Sequence, residues 1–224
     1  MSNKALTTHS VNSQHRNPAS RFAWLLLGFV LLLGTGARAE TDKHGVILVF
    51  GDSLSAAYRM DEADGWVALL QERLKHEELD YHVVNGSVSG ETTAGGLARL
   101  PAVLKSSKPD LVLLELGGND GLRGLPVRTI RQNLRQMIEL SQAAGARVLL
   151  TGIQIPPNYG PRYTEPFYAQ YEELAGEYGL TLIPFLLEGI AENSALMQDD
   201  GIHPTAEAQP MIVDNVWPVL IDLL

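Results

Sequence analysis

Three side chains of this sequence, a serine, a histidine and an aspartate, could together carry out acyl transfer. Ser53 lies in a Gly-Asp-Ser-Leu stretch directly after an apolar run, and Asp200 and His203 share one polar loop near the end of the sequence. Acyl transfer needs a hydroxyl nucleophile, a base within hydrogen-bond reach and an acid that orients the base. We therefore predict that Ser53 is the nucleophile, that His203 is the general base and that Asp200 orients its imidazole ring.

Such a site also needs donors for the negative charge that develops on the substrate oxygen. Asn119, in a Gly-Gly-Asn-Asp stretch after another apolar run, offers a side-chain amide. Ser53 and Gly90 offer backbone N–H groups, and a glycine lets the backbone approach a ligand closely because it has no Cβ. We predict that Ser53, Gly90 and Asn119 form the oxyanion hole.

Other chemistries stay open on the same sequence. Asp52 could accept a phosphoryl group, although that chemistry usually needs a second nearby carboxylate for Mg²⁺ and no Asp-x-Asp follows the strand. A flavin- or ligand-binding module would explain the fold but gives no reason for the pair Asp200 and His203. A carbohydrate O-deacetylase would favour exposed Trp or Tyr side chains near the site.

The elements that position these residues are predicted by five short apolar runs that alternate with helical patterns. Runs of this kind, stopped by Gly or Pro, are typical of strands buried on both faces of a parallel sheet with helices on each side. In such sheets ligands bind beyond the carboxyl ends of the strands, so the loops that carry the candidate residues should meet at one edge. The runs cover residues 46–50, 81–84, 111–116, 146–151 and 180–183.

Several turn signals set the expected helix limits. Pro126 and Gly145 should begin and end one helix, and Gly179 should end the next. We expect Thr164 to be the N-cap of that second helix. Pro101 should bend or interrupt the segment after Gly90. Pro210 should begin the regular part of the last helix.

The first 39 residues predict a secretory signal peptide. They contain four basic residues (Lys and Arg together) and no Asp or Glu. An apolar run covers residues 23–34 and is followed shortly by Ala37-Arg38-Ala39. Twelve residues rise only ~18 Å as a helix, short of the ~30 Å core of a bilayer. We expect cleavage after Ala39, a periplasmic or secreted location, and one catalytic domain over residues 40–224.

Composition narrows the classes of function. The chain has 224 residues, 45% of them hydrophobic, a formal net charge of −9 and no cysteine. The absence of cysteine excludes disulfides, thiolate zinc sites and a Cys nucleophile, and the acidic balance argues against a nucleic-acid partner. We expect a small-molecule substrate, no cofactor or metal, no stable membrane insertion once the signal is removed, and a monomer.

In four blocks the sequence resembles the SGNH (GDSL-type) hydrolases. Longer stretches, at residues 96–102, 116–124 and 197–204, resemble most closely their bacterial periplasmic thioesterase I, lysophospholipase and arylesterase branch. The blocks are Gly-Asp-Ser-Leu, Gly90, Gly-Gly-Asn-Asp and Asp-Gly-Ile-His, in family order over residues 45–224. The resemblance implies an α/β fold, a three-layer α/β/α sandwich around a five-stranded parallel sheet of flavodoxin-like order. It also implies hydrolysis of acyl esters and thioesters by Ser53, His203 and Asp200, with the oxyanion hole named above.

The substrate groove is predicted from the loop after the fourth strand, which is apolar and stiffened by prolines. We expect Ile155, Pro156 and Tyr159 to line a groove for the acyl chain, because that loop should lie beside the site. Residues 97–101 would form a movable opposite wall.

Overall fold

The computed structural model describes residues 44–224, so the predicted signal peptide and its cleavage site lie outside the described residues. All five apolar runs form strands, and the strands build one parallel sheet in the order β2-β1-β3-β4-β5. This is the flavodoxin-like order that the resemblance implied. The strands are β1 (Gly45–Gly51), β2 (Tyr81–Asn85), β3 (Leu111–Glu115), β4 (Arg147–Thr151) and β5 (Thr181–Ile183).

Helices cover both faces of the sheet and complete the three layers. They are α1 (Trp66–His76), α2 (Thr93–Ser107), α3 (Gly118–Leu122), α4 (Val127–Ala143), α5 (Pro161–Tyr178) and α6 (Gln209–Leu220). Side chains alternate along β1, so Leu48 and Phe50 pack in the core under α2, α4 and α5, whereas Ile47 and Val49 pack under α1 and α6. The predicted fold class is confirmed.

Burial on both faces holds for the central strands only. Every residue of β3 is buried, whereas β2 and β5, at the two edges of the sheet, are partly exposed. The strand β2 lies at the edge of the sheet, where it has a neighbouring strand on one side only and remains partly exposed to solvent. The apolar run at residues 81–84 therefore forms a strand that is not fully buried. No helix within residues 44–224 combines the length and the apolar character that crossing a bilayer requires.

One predicted helix start is wrong, and one predicted interruption of a helix is absent. The helix α5 begins at Pro161, with Gly160 as its N-cap, and the Thr164 hydroxyl donates to the Gly160 carbonyl from inside the first turn. A proline in the first turn needs no N–H partner, which lets the helix start earlier. Pro101 does not interrupt α2, because the burial of Leu100 and Leu104 on either side of it stabilises the helix through packing.

Candidate active site

The loops that follow the strands open onto one cavity of about 980 Å³. Ser53, Gly90, Asn119 and His203 all line it, although they come from four distant parts of the chain. They meet because parallel strands present their carboxyl ends at the same edge of the sheet.

A line of hydrogen bonds joins the three predicted catalytic side chains. The Nε2 atom of His203 lies 2.8 Å from the Oγ atom of Ser53, across 150 residues of sequence. The Nδ1 atom of the same ring lies 2.8 Å from Oδ2 of Asp200. Ser53 is 9% exposed, and so its hydroxyl faces the cavity but little bulk water. This arrangement can transfer a proton from the hydroxyl to the imidazole.

The loop around Asp200 keeps its carboxylate ionised. Burial alone would raise the pKa of Asp200, but hydrogen bonds from the backbone N–H groups of His203 and Ile202 and from the His203 ring outweigh it. The pKa of Asp200 is therefore lowered to about 2. At neutral pH Asp200 is a fixed anion against the imidazole, which favours the tautomer with its proton on Nδ1.

The segment that carries Ser53 is a series of turns, not the start of a helix. The Asp52 carbonyl accepts from the N–H groups of Ser55 and Ala56, but Ala57 and Arg59 have positive φ angles of 52° and 56°. Left-handed residues cannot continue a right-handed helix, so the segment after Ser53 stays a series of turns. The first helix begins only at residue 66.

The three predicted oxyanion donors face the cavity with donor capacity to spare. Asn119 donates from Nδ2 to Oδ2 of Asp52 over 2.9 Å, and a primary amide carries two hydrogens. Within residues 44–224 the N–H groups of Ser53 and Gly90 donate no hydrogen bond. Gly90 has a φ of +79° with open space where a Cβ would stand, so the backbone conformation, and not lack of room, requires glycine there.

Two buried carboxyl groups lie beneath the site. Burial raises the pKa of Asp52 to about 6, against the opposing effect of N–H donors from Leu54 and Asn119. Burial also raises the pKa of Glu115 well above its ordinary value, and the charge of Asp52 adds to this shift. Glu115 accepts from the Asp52 N–H and from the Ser55 hydroxyl. Gly51 leaves the space for this carboxyl, because a Cβ on Gly51 would lie 2.3 Å from it.

The sequence profile of the GDSL-like lipase/acylhydrolase family matches residues 49–209, from β1 to the start of α6. The chain belongs to the GDSL-like lipase/acylhydrolase family. The match spans Ser53 and His203, so the residues that meet at the cavity lie inside it.

Named relatives and a solved structure agree with this membership. The chain is 54% identical to "Esterase TesA" of Pseudomonas aeruginosa over 87% of its length and 94% of the relative. It is 48% identical to "Thioesterase 1/protease 1/lysophospholipase L1" of Escherichia coli K12 over 86% and 90%. The crystal structure of the psychrotrophic esterase EstA from Pseudoalteromonas sp., inhibited by monoethylphosphonate, is 44% identical. It covers 80% of this chain and 98% of its own, with a TM-score of 0.77.

The predicted groove of this GDSL-like chain is corrected in two places. Ile155 and Pro156 line the cavity, but Tyr159 does not. The turn at Pro157–Tyr159 directs the Tyr159 hydroxyl to the Leu122 carbonyl, 2.6 Å away. Residues 97–101 are also not part of the lining. They belong to α2, where Leu97 and Leu100 pack in the core and Arg99 is held by ionic and hydrogen bonds.

Reasoning from sequence missed several residues of the GDSL-like site. The Tyr58 ring lies against the His203 ring, with centroids 4.2 Å apart and planes tilted by 33°. The Gln198 amide ties the two segments together by donating to the carbonyls of Tyr58 and Pro204. No local signal marks these contacts, whereas the strand-end rule could have indicated the residues just after β5. The missed lining includes Tyr168, Phe185, Leu186, Leu187 and Met197.

Within residues 44–224 no three His, Asp or Glu side chains lie close enough together to share one metal ion.

Proposed function

We propose that this chain hydrolyses acyl esters and acyl thioesters through an acyl-enzyme on Ser53. The observation that carries the proposal is the unbroken line from Asp200 through His203 to Ser53, with 2.8 Å at each step, at the wall of the cavity. Asp52 is the weaker nucleophile candidate, because its two carboxylate oxygens already accept hydrogen bonds from Leu54 and Asn119.

The reaction follows from this geometry in two steps. Ser53 Oγ attacks the carbonyl carbon while His203 Nε2 takes the hydroxyl proton, and Asp200 stabilises the imidazolium that forms. The oxyanion accepts hydrogen bonds from the N–H groups of Ser53 and Gly90 and from the Asn119 amide. Collapse breaks the bond to the alcohol or thiol, which leaves with the proton from His203. Water then attacks the acyl-enzyme by the same route and releases the acid.

The cavity supports acyl substrates. Its wall is predominantly apolar, and its depth comes from the loops after β4 and β5, with side chains such as Ile153, Ile155, Leu186 and Met197. The names of the relatives add support for thioesters, lysophospholipids and aryl esters as classes of substrate. Within residues 44–224 the carbohydrate alternative has no tryptophan at the cavity, since Trp66 is 1% exposed and Trp217 packs against Arg73, although two tyrosines, Tyr58 and Tyr168, line it.

We also propose that residues 1–39 are a signal peptide cleaved after Ala39, and that residues 40–224 work as a periplasmic or secreted monomer. The support is the basic and apolar pattern of the first 39 residues. The N-terminal sequence of the exported protein and its mass by light scattering measure both points. An uncleaved chain or a stable dimer would refute the corresponding part.

A fluorophosphonate probe tests the nucleophile. We expect the probe to label the wild-type protein at Ser53, found by peptide mass spectrometry, and we expect Ser53→Ala to abolish labelling and ester hydrolysis. Ser106→Ala, an exposed serine at the end of α2, is the matched control and should change neither. EDTA should leave the activity unchanged. Metal-dependent activity with an unlabelled Ser53 would instead support Asp52 as the reacting group.

A further inference from the structure

Arg99 of α2 makes contacts that the proposed mechanism does not use. Its Nε atom lies 3.0 Å from Oε2 of Glu91, and its Nη1 atom donates to the Gly86 carbonyl over 2.8 Å. Its guanidinium carbon lies 4.4 Å from the centre of the Phe50 ring. The side chains of Arg99 and Glu91 are 29% and 12% exposed, so the ion pair is largely withdrawn from water.

These two contacts hold both ends of the loop that carries Gly90. Gly86 begins this loop after β2, and Glu91 directly follows Gly90. The N–H of Glu91 donates to the Val88 carbonyl over 3.1 Å, which closes a turn over residues 88–91, here called the Gly90 turn. A positive φ at the third residue is typical of type II turns, in which the central peptide has one defined orientation.

The orientation of that central peptide decides where the Gly90 N–H points. It joins Ser89 to Gly90, both of which are exposed and line the cavity, so little packing restrains it directly. The Arg123 guanidinium touches the Gly90 carbonyl only at 3.4 Å. The anchored carboxylate of Glu91 is therefore the strongest side-chain restraint next to Gly90.

The energetics of the pair favour a geometric role over a stabilising one. The Nη2 atom of Arg99 is buried and has no hydrogen-bond partner within residues 44–224. Replacement of both partners of such a pair by apolar side chains of similar volume is often neutral, whereas loss of one partner alone leaves the other charge unpaired and destabilises the fold. The nearby backbone nevertheless leaves space for the Glu91 carboxylate, because a Cβ on residue Gly95 would lie only 2.0 Å from Oε1 of Glu91.

We infer that Arg99, acting through Glu91 and Gly86, is a positioning residue that holds the Gly90 N–H in the oxyanion hole. The inference rests on the proposed function, because it assigns Arg99 to the same site. Arg99 does not touch the substrate and lies outside the cavity lining. A loss of the pair should weaken binding of the transition state and leave binding of the ester almost unchanged.

The test compares Arg99→Met and Glu91→Gln with wild type on p-nitrophenyl butyrate. We expect Arg99→Met to lower kcat by about 10- to 100-fold, because small misplacements of a catalytic group have effects of this size, with KM within about two-fold. Glu91→Gln should act in the same direction but less strongly. The double variant should lose little more than Arg99→Met alone, since the two side chains work as one unit.

A second readout separates positioning from a merely structural role. A butyl trifluoromethyl ketone accepts Ser53 Oγ at its carbonyl carbon and forms the oxyanion, whereas the matching secondary alcohol cannot. We expect the inhibition constant of the ketone to rise in Arg99→Met by the same factor by which kcat/KM falls, and that of the alcohol to stay unchanged. Unchanged ketone binding, or a rise in KM at constant kcat, overturns the inference.

Arg73→Met is the matched control. Arg73 also pairs with a carboxylate, 2.6 Å from Asp214, and also lies 4.4 Å from an aromatic ring, that of Trp217, but between α1 and α6. It should keep wild-type kcat, KM and ketone binding.

The proposed function and the proposed role of Arg99 would be refuted by different results. A wild-type protein that neither reacts at Ser53 nor hydrolyses the ester refutes the proposed function. An active wild type with an equally active, folded Arg99→Met variant refutes only the role of Arg99.

Discussion

At the scale of single residues, each proposed catalytic group obtains its protonation state from a few neighbours. Asp200 stays ionised because two N–H groups and the His203 ring contact it, whereas Asp52, which directly follows β1 and is buried, holds its proton to about pH 6. Two aspartates of one site thus have pKa values on opposite sides of the ordinary value. Their environments suit the first to orient a base and the second to accept a hydrogen bond from Asn119.

Asn119→Ala tests the side-chain donor of the oxyanion hole. We expect kcat to fall by ~10²–10³, the usual cost of one such donor, while the protein stays folded. The change also leaves Oδ2 of buried Asp52 without its donor, so the free energy of unfolding should fall by about 1–3 kcal/mol. Steady-state kinetics and urea unfolding measure the two effects.

The control for this variant is Asn193→Ala, which removes an exposed amide that caps a short 3₁₀ turn. It should retain wild-type kcat. An Asn119→Ala protein with full activity would count against the assigned oxyanion hole.

At the scale of elements, the loops after β4 and β5 determine the shape of the cavity. Both loops leave the same edge of the sheet as the catalytic loops, and their apolar side chains cover one wall. Within the first of these loops, Ile155 is 9% exposed and also contacts the core, whereas Tyr159 at its far end is 37% exposed and bonded to Leu122. One loop therefore has a part that faces the cavity and a part that fixes the loop.

A polar substitution at Ile155 should change the preference for acyl-chain length. We expect Ile155→Thr to lower kcat/KM for long acyl chains more than for acetyl esters, because the hydroxyl must be desolvated against the chain. A series of p-nitrophenyl esters from acetyl to palmitoyl measures the profile. Ile221→Thr, at an exposed isoleucine outside the cavity lining, should leave the profile unchanged. An unaltered profile in Ile155→Thr would remove Ile155 from the acyl groove.

At the scale of the whole molecule, the two buried carboxyl groups link stability to pH. Glu115 lies on β3 in the middle of the sheet and is 0% exposed, and its pKa and that of Asp52 are raised in the folded chain. The folded chain therefore binds more protons than the unfolded chain above about pH 4, so this pair makes the free energy of unfolding fall as pH rises through 6. Asp200 acts in the opposite direction, with stability lost as pH falls below 3.8 toward 2.

Glu115→Gln should reduce this pH dependence. Glutamine keeps an oxygen that can accept from the Asp52 N–H and the Ser55 hydroxyl, but it cannot lose a proton. We expect the difference in unfolding free energy between pH 5 and pH 8, measured in urea, to be smaller than in wild type. Glu72→Gln, an exposed partner of Lys75, should keep the wild-type difference. An identical difference in Glu115→Gln would refute the link.

The amino-acid sequence by itself determined the strands, their parallel arrangement and the residues that meet at their ends. This was possible because each signal is local: an apolar run, the glycine that stops it, and the polar group just beyond. Ser53, Gly90, Asn119 and His203 each follow such a run or share a short loop with a partner, and the rule that parallel strands end at one edge brings them together.

Only the tertiary structure decided which side chains support these groups from elsewhere in the chain. The contact of Tyr58 with His203 and the anchoring of Glu91 by Arg99 depend on positive φ angles, turns and helix rotation, none of which an apolar pattern records. The same holds for Tyr159, whose hydroxyl bonds to the Leu122 carbonyl and whose side chain is not part of the cavity lining. Periodicity shows which face of an element is buried, but the partner met at that face is settled by the packing of all elements together.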